Sequence, residues 1–155
     1  MNLYQRTLRR MATLDWVRRL LSKVLAPLDL KLRNTRFAPS KLGIGVPLCY
    51  LTTTGRKSGE PRVVPLLFVE HDAGYAVAAT NFGTEHHPGW AYNLEADPAA
   101  LIEIDGEESA VSARLLDEAE AASLWPKFGA VWPAYDTYQQ IAPRDIKMFA
   151  LTPAP

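Results

Sequence analysis

The period of the apolar positions divides the chain in two. Leu14, Val17, Leu20, Leu21, Val24, Leu25 and Leu28 recur at three- and four-residue spacing, while Arg18, Arg19, Ser22 and Lys23 fill the other side. That spacing predicts an amphipathic helix from about 12 to 26, ended near Pro27. From Val46 the pattern shortens to β-rich runs at 46–54, 62–70 and 74–80, divided by the glycine-bracketed segment 55–61 and by His71-Asp72-Ala73-Gly74. These read as successive antiparallel strands. Pro61 and Pro65 cannot donate to a ladder, which predicts a strand edge, a bulge or a point opened to a ligand.

The second half follows the same grammar. Residues 81–88 read as a loop and 89–96 as a short helix stopped by Asp97-Pro98. Residues 99–104 and 107–116 form a hairpin about Asp105-Gly106. Asp117 opens a helix with Glu120 completing a capping box, and Pro126 must end or kink it. The segment 125–138 is rich in aromatics and broken by Pro126 and Pro133, and a last strand is expected at about 145–151. Six strands with short turns and few helices predict a mostly β, single-domain, closed or partly closed antiparallel barrel over 41–155, carrying a basic N-terminal arm over 1–40.

Composition adds little to this fold but locates the charge. With 155 residues, 48% hydrophobic and 22% charged, the chain can bury a core of its own. Its only cysteine, Cys49, lies in an apolar run, which excludes a disulfide scaffold and predicts a buried thiol in a reducing compartment. The net charge of zero hides an asymmetry: residues 1–40 hold nine Lys/Arg against two acids, and residues 101–155 hold four against nine. The apolar face of the arm is expected to pack on the domain, the alternative being that, with Arg6, Arg9, Arg10 and Trp16, it lies on an anionic lipid surface. No run is long enough to span a membrane, and the start lacks a hydrophobic signal-peptide core, so the expected location is cytoplasmic, with peripheral contact at the inner face of the membrane as the alternative that the arm leaves open. No nucleic-acid partner is expected.

Chemistry concentrates at 51–62, Leu-Thr-Thr-Thr-Gly-Arg-Lys-Ser-Gly-Glu-Pro-Arg. If Gly55 and Gly59 both take positive φ, the turn can point its N–H groups inward as an anion-holding nest, with Arg56, Lys57 and Arg62 as cations and Ser58 as a hydroxyl. Phosphate or carboxylate is the natural guest; the alternative is an ordinary solvated hairpin tip. The spacing fails the P-loop, and Gly43-Ile44-Gly45 lacks the third glycine of a dinucleotide fingerprint. His86-His87 has no further ligands at metal spacing, so no metal is expected, and no Gly-x-Ser-x-Gly elbow occurs. Tyr135 and Tyr138, three apart, share a helical face and can project into one pocket.

Four blocks in order, LTTTGRKSGEPRVVPL, AATNFG, HPGWAYNLEADP and WPKFGAVWPAYDTYQQ, resemble the deazaflavin-dependent nitroreductases, small F420-dependent oxidoreductases of the split β-barrel fold. The similarity runs from about 47 to 151. It implies that Arg56, Lys57 and Ser58, with Arg62, hold the phosphate and acidic tail of coenzyme F420. It further implies that Arg62, Val63, Val64, Pro65, Leu66 and Leu67, with Ala78, Ala79, Thr80 and Asn81, line the deazaflavin, and that Gly89, Trp90, Ala91, Tyr92 and Asn93 close over it. Leu67, Thr80, Trp132, Tyr135 and Tyr138 fall where the family's acceptor pocket lies, the two tyrosines being the catalytic candidates. Members active on nitroimidazoles carry tyrosine, serine and tyrosine at the positions of Leu67, Thr80 and Trp132, so the acceptor pocket here is altered. The resemblance implies transfer of a hydride from reduced F420 to an activated C=C bond, a quinone or a nitro-aromatic. The rivals are an FMN-binding split-barrel oxidoreductase and a non-enzymatic carrier of F420 or lipid.

Overall fold

A computed structural model of the chain describes residues 19–32 and 46–155. Residues 12–18 of the expected helix and Gly43-Ile44-Gly45 lie outside the described residues. The strands are β1 (Leu48–Thr54), β2 (Pro61–His71), β3 (Gly74–Ala78), β4 (Ala99–Ile104), β5 (Glu107–Leu115) and β6 (Met148–Pro153). They close into a barrel in the order β1-β2-β3-β6-β5-β4, and every pairing is antiparallel. The expected mostly β barrel of six strands is the observed one.

Period-two alternation explains why the strands close as they do. Cys49, Leu51, Val77, Ala100, Ile102, Val111, Phe149 and Leu151 join one buried cluster that fills the barrel. The alternate residues of β3 and β6, namely Ala76, Ala78, Met148 and Ala150, belong to a second cluster with Leu124, Phe128, Tyr135 and Tyr138 of the helices. Both faces of β3 and β6 are therefore buried, which is why Ala76-Val77-Ala78 and Met148-Phe149-Ala150-Leu151 are apolar without a polar alternate. The alanines of the outer face let the aromatic helices approach closely.

Helix α1 (Ala26–Leu32) continues a π-helical turn at Leu21–Leu25. The helix therefore does not end near Pro27. Proline tolerates the first turn of a helical segment, where its missing N–H has no partner to lose, and the π turn restarts the ladder there. Helix α2 (Gly89–Ala96) carries Trp90, Ala91 and Leu94 into the barrel cluster, with Trp90 edge-on to Phe149 at 5.8 Å. Helix α3 (Glu118–Val131) has the expected capping box, since Glu120 N donates to Asp117 Oδ1 at 2.8 Å and Asp117 N donates to Glu120 Oε2 at 3.1 Å. It runs through Pro126 instead of ending there, because Leu124 and Phe128 are buried on either side of the proline and anchor both halves. Helix α4 (Ala134–Ile141) follows, with Tyr135 and Tyr138 buried on one face.

Two further boundaries differ from expectation. Strand β6 begins at Met148, not near 145, because Arg144 turns back to bind the 79–87 loop. Strand β3 stops at Ala78, after which Asn81–Gly83 forms a 3-10 turn. The proline expectation at β2 resolves as an edge. Residues 61–67 pair only with β1, and only 68–71 pair with β3, so Pro65 has a free flank where no ladder donor is needed.

Candidate active site

The basic turn is built from β1, β2 and α2. Gly55 N donates to Glu60 O at 2.8 Å, Ser58 N and Gly59 N both donate to Gly55 O at 3.1 and 2.7 Å, and Glu60 N donates to Ser58 Oγ at 3.3 Å. Arg56 N donates to Asn93 Oδ1 at 3.1 Å. These N–H groups are taken within the protein, so they do not form the open nest that two glycines at positive φ would make. Only Gly59 has positive φ, at +70. Gly55 is required for another reason: a Cβ there would lie 2.6 Å from Ser58 Oγ and 3.1 Å from Glu60 O.

The charge of the turn resides in its side chains. Arg56, Lys57, Ser58 and Arg62 are all exposed, and among the described residues no carboxylate pairs with any of the three cations. Arg62 Nη2 donates to Ser58 Oγ at 3.4 Å, and the Arg56 guanidinium lies over the Tyr92 ring, 4.7 Å from its centroid. Stacking on an aromatic face orients a guanidinium without neutralising it. Asn93, 6% exposed, fixes this arrangement, because its Nδ2 donates to Thr53 Oγ1 at 3.0 Å while its Oδ1 holds Arg56 N.

From Tyr92 the polar surface continues to the 79–87 loop. Lys147 Nζ lies 5.7 Å from the Tyr92 centroid and pairs with Glu95, and the His87 ring meets Tyr92 edge-on at 5.8 Å. Arg144 then gathers the loop. Its Nη2 faces the carbonyls of Ala79, Thr80 and His86 at 3.2, 3.0 and 3.0 Å, its Nε donates to Thr84 O at 3.1 Å, and its Nη1 meets Asp145 O at 3.3 Å and His87 Nδ1 at 3.0 Å. Guanidinium is always a donor, so His87 Nδ1 accepts and the ring is the neutral Nε2–H tautomer. Burial, followed by the charges of Arg144 and Lys147, holds the His87 pKa below its ordinary 6.5. Within the loop Asn81, Phe82 and Gly83 are three consecutive residues at positive φ, at 43, 56 and 74. For a residue such as Phe82 that costs about 1–2 kcal/mol, offset by Asn81 Nδ2 donating to Thr84 Oγ1 at 2.7 Å and His86 O at 2.9 Å.

The aromatic candidates lie under this loop. Tyr135 and Tyr138 are 6% and 2% exposed and sit in the outer core cluster. Tyr135 stacks on Phe128 at 5.4 Å, and Tyr138 meets Phe82 edge-on at 5.9 Å. Burial chiefly, with Tyr138 and Cys49 adding, raises the Tyr135 phenol well above its ordinary value against a hydrogen bond with Thr80. Thr80, Tyr135, Tyr138 and Phe82 are thus one contiguous group, with Leu67 and Trp132 packed against the same cluster. Trp90 and Ala91 face the barrel interior, leaving Tyr92 as the half-buried member of α2 beside the basic turn. Val63 to Leu67 are half-buried along the open flank of β2. Among the described residues no group of three His, Cys, Asp or Glu side chains could hold a metal ion.

Thr53, His87 (which the sequence raises only as a metal ligand), Arg144 and Lys147 are the members for which the sequence pattern offers no role. The sole signal for the last two was scarcity, since they are two of the four cations in an acidic stretch.

An antiparallel six-stranded barrel with uncompensated cations at one turn, leading past an aromatic ring to a buried aromatic cluster, offers the charge and shape that an anionic, ring-bearing ligand would need. The family model described as F420H(2)-dependent quinone reductase matches residues 33–153, and the chain belongs to that family. It is accordingly an F420H2-dependent reductase with F420 as its cofactor. The chain is 32% identical over 117 residues to a putative F420H(2)-dependent quinone reductase of Mycobacterium tuberculosis, covering 73% of this chain and 98% of that protein. A second relative from that organism, an F420H(2)-dependent quinone reductase, is 27% identical over 114 residues, covering 68% and 73%. A solved F420-H2 dependent reductase, FDR-A, superposes with a TM-score of 0.62 at 34% identity, covering 68% of this chain and 93% of that one.

Proposed function

We propose that the protein transfers a hydride from reduced F420 to a quinone, with activated C=C bonds and nitro-aromatics as further acceptors of the same electronic class. The observation that carries this reading is the set of three exposed cations, Arg56, Lys57 and Arg62, without a carboxylate partner among the described residues. A phosphodiester with glutamate carboxylates supplies the missing countercharge. Arg56, Lys57, Ser58 and Arg62 bind that tail, with Arg56 held in direction by Tyr92 and Asn93. Val63 to Leu67, Ala78 to Asn81, and Gly89 and Tyr92 of α2 border the ring, with Trp90 and Ala91 behind them in the barrel core. When bound, reduced F420 supplies the hydride from its C5. Leu67, Thr80, Trp132, Tyr135 and Tyr138 shape the acceptor side, and water or Tyr138 delivers the proton that completes the two-electron reduction. Titration of the purified protein with oxidised and reduced F420, then a screen of quinones, enones and nitro-aromatics for deazaflavin oxidation, tests it. Failure of every acceptor to oxidise the reduced cofactor would remove the enzymatic reading and leave the carrier.

A membrane contact through residues 1–40 is the second part of the proposal, the reductase unit being 41–155 and cytoplasmic. Leu20, Val24 and Leu28, spaced four apart, are 41%, 50% and 41% exposed, and Lys23 and Lys31 are exposed near them. An apolar stripe flanked by cations suits the interface of an anionic bilayer, where quinones reside. No helix among the described residues is long and apolar enough to cross a membrane. Co-sedimentation with anionic vesicles, weakening as salt rises, is expected; equal pelleting of a chain starting at Lys41 would overturn it.

A further inference from the structure

The Arg144 guanidinium is a cation with no carboxylate among its described partners, half-withdrawn from water and bonded to carbonyls of the 79–87 loop. Those carbonyls bracket Asn81-Phe82-Gly83, the run of three left-handed residues. A loop in that conformation is kept only where its surroundings over-determine it. Arg144 supplies the restraint from one side by hydrogen bonds. From the other, Phe82 lies against Tyr138, and a Cβ on Gly83 would meet Ile141 at 2.6 Å.

We propose that Arg144 is a positioning residue for the deazaflavin ring: by bridging Ala79, Thr80, Thr84 and His86 to the neutral His87 Nδ1, it holds the left-handed turn in the shape that receives the ring. This rests on the reading above that Ala78 to Asn81 border the ring. His87 is part of the device because only its neutral form offers Nδ1 as an acceptor; protonation sets an N–H against the guanidinium at 3.0 Å and releases that end of the loop. The charged and titratable groups facing His87 are Arg144, Lys147, Glu95 and Asp145, with the Tyr92 ring at its edge. Burial first, and then Arg144 and Lys147 against Glu95 and Asp145, disfavours the charged ring, which sets the sign: the loop keeps its shape down through the ordinary histidine range and opens as pH falls below it.

The test separates ring from tail. Affinities of the full chain for F420, and for the deazaflavin riboside lacking phosphate and glutamates, are measured between pH 5 and 8, with folding followed by thermal melting. Arg144→Ala should weaken both ligands by the same factor, roughly ten- to hundredfold, since it removes charge-assisted hydrogen bonds from the ring side alone. Arg56→Ala should weaken F420 and leave the riboside unchanged. Should Arg144→Ala fail to fold, Arg144→Lys, which keeps the charge but not the fork, carries the same expectation of an equal loss for both ligands. Wild-type affinity for the riboside should fall as pH drops below 6.5, and His87→Asn, which keeps an acceptor that does not titrate, should abolish the fall. Wild-type riboside affinity in a folded Arg144 variant, or an unaltered pH profile in His87→Asn, would overturn the proposal. Absence of F420 binding by the wild type would instead overturn the cofactor reading and this inference with it.

Discussion

Asn93 Nδ2 donates to Thr53 Oγ1 at 3.0 Å, joining α2 to β1 through two polar side chains that are 6% and 1% exposed. Because Asn93 Oδ1 at the same time accepts from Arg56 N at 3.1 Å, one buried amide sets both the seat of the helix and the direction of the basic turn.

Asn93→Ala should therefore act on stability and binding together. It leaves the Thr53 hydroxyl and the Arg56 N–H without their partner, a loss of about 1–3 kcal/mol, read as a lower urea midpoint at unchanged slope. F420 affinity should fall several-fold with Arg56 itself intact. Wild-type affinity in this variant would mean that the turn holds its shape without the amide.

Truncating the cations should affect binding alone. Arg56→Ala and Lys57→Ala, both at exposed positions, are expected to weaken F420 about ten- to hundredfold each, with melting temperature unchanged. Unaltered affinity in the double variant would move the tail site elsewhere.

The capping box predicts an acid-sensitive end of α3. Arg114 donates to Glu120 through two hydrogen bonds of 2.8 Å, and chiefly this, then the Asp117 N–H, holds the Glu120 carboxyl down to about 2 from 4.5. A depressed pKa stabilises the fold above the unfolded value and loses that contribution as pH falls from 4.5 through about 2. The pair is solvent-exposed, so the effect is small. Glu120→Gln should flatten the dependence of the unfolding midpoint on pH across that window; an identical slope would assign the acid sensitivity to other groups.

For Tyr138, 2% exposed and edge-on to Phe82, shape is expected to matter more than the hydroxyl. Tyr138→Phe should keep kcat within a few-fold, whereas Tyr138→Ala should destabilise by about 3–5 kcal/mol through the void it leaves and raise the KM for acceptor. A drop in kcat of about a hundredfold in the phenylalanine variant would identify the tyrosine as the proton donor.

Cys49 should be chemically silent. Burial pushes its thiol up to about 12, and it is 0% exposed inside the barrel. A thiol reagent at pH 8 should label it only as the protein unfolds in denaturant, because the thiolate is the reactive form. Rapid labelling of the native protein would show that the barrel opens locally at β1.

Sequence alone determined the strands and their antiparallel hairpins, because alternation, turn residues and the Asp117–Glu120 cap are local signals read within a few positions. It also located the basic turn, since Arg56, Lys57 and Arg62 are contiguous, and the cofactor class through the motif around them. Tertiary structure decided what local signals cannot carry. Two glycines suggested an open nest, but Asn93, 37 residues away, takes the Arg56 N–H, and Gly55 is needed for a close contact instead of a positive φ. Pro27 and Pro126 read as stops, yet Pro27 falls in the first turn of a new helical segment, where no hydrogen bond is lost, and at Pro126 burial of Leu124 and Phe128 on either side outweighs one missing hydrogen bond. Beyond being a scarce cation in an acidic stretch, Arg144 left no pattern: its contacts are carbonyls 58 to 65 residues away, brought to one guanidinium by closure of the barrel. A carbonyl is the same in every residue, so no spacing of side chains could have announced which ones that arginine would gather.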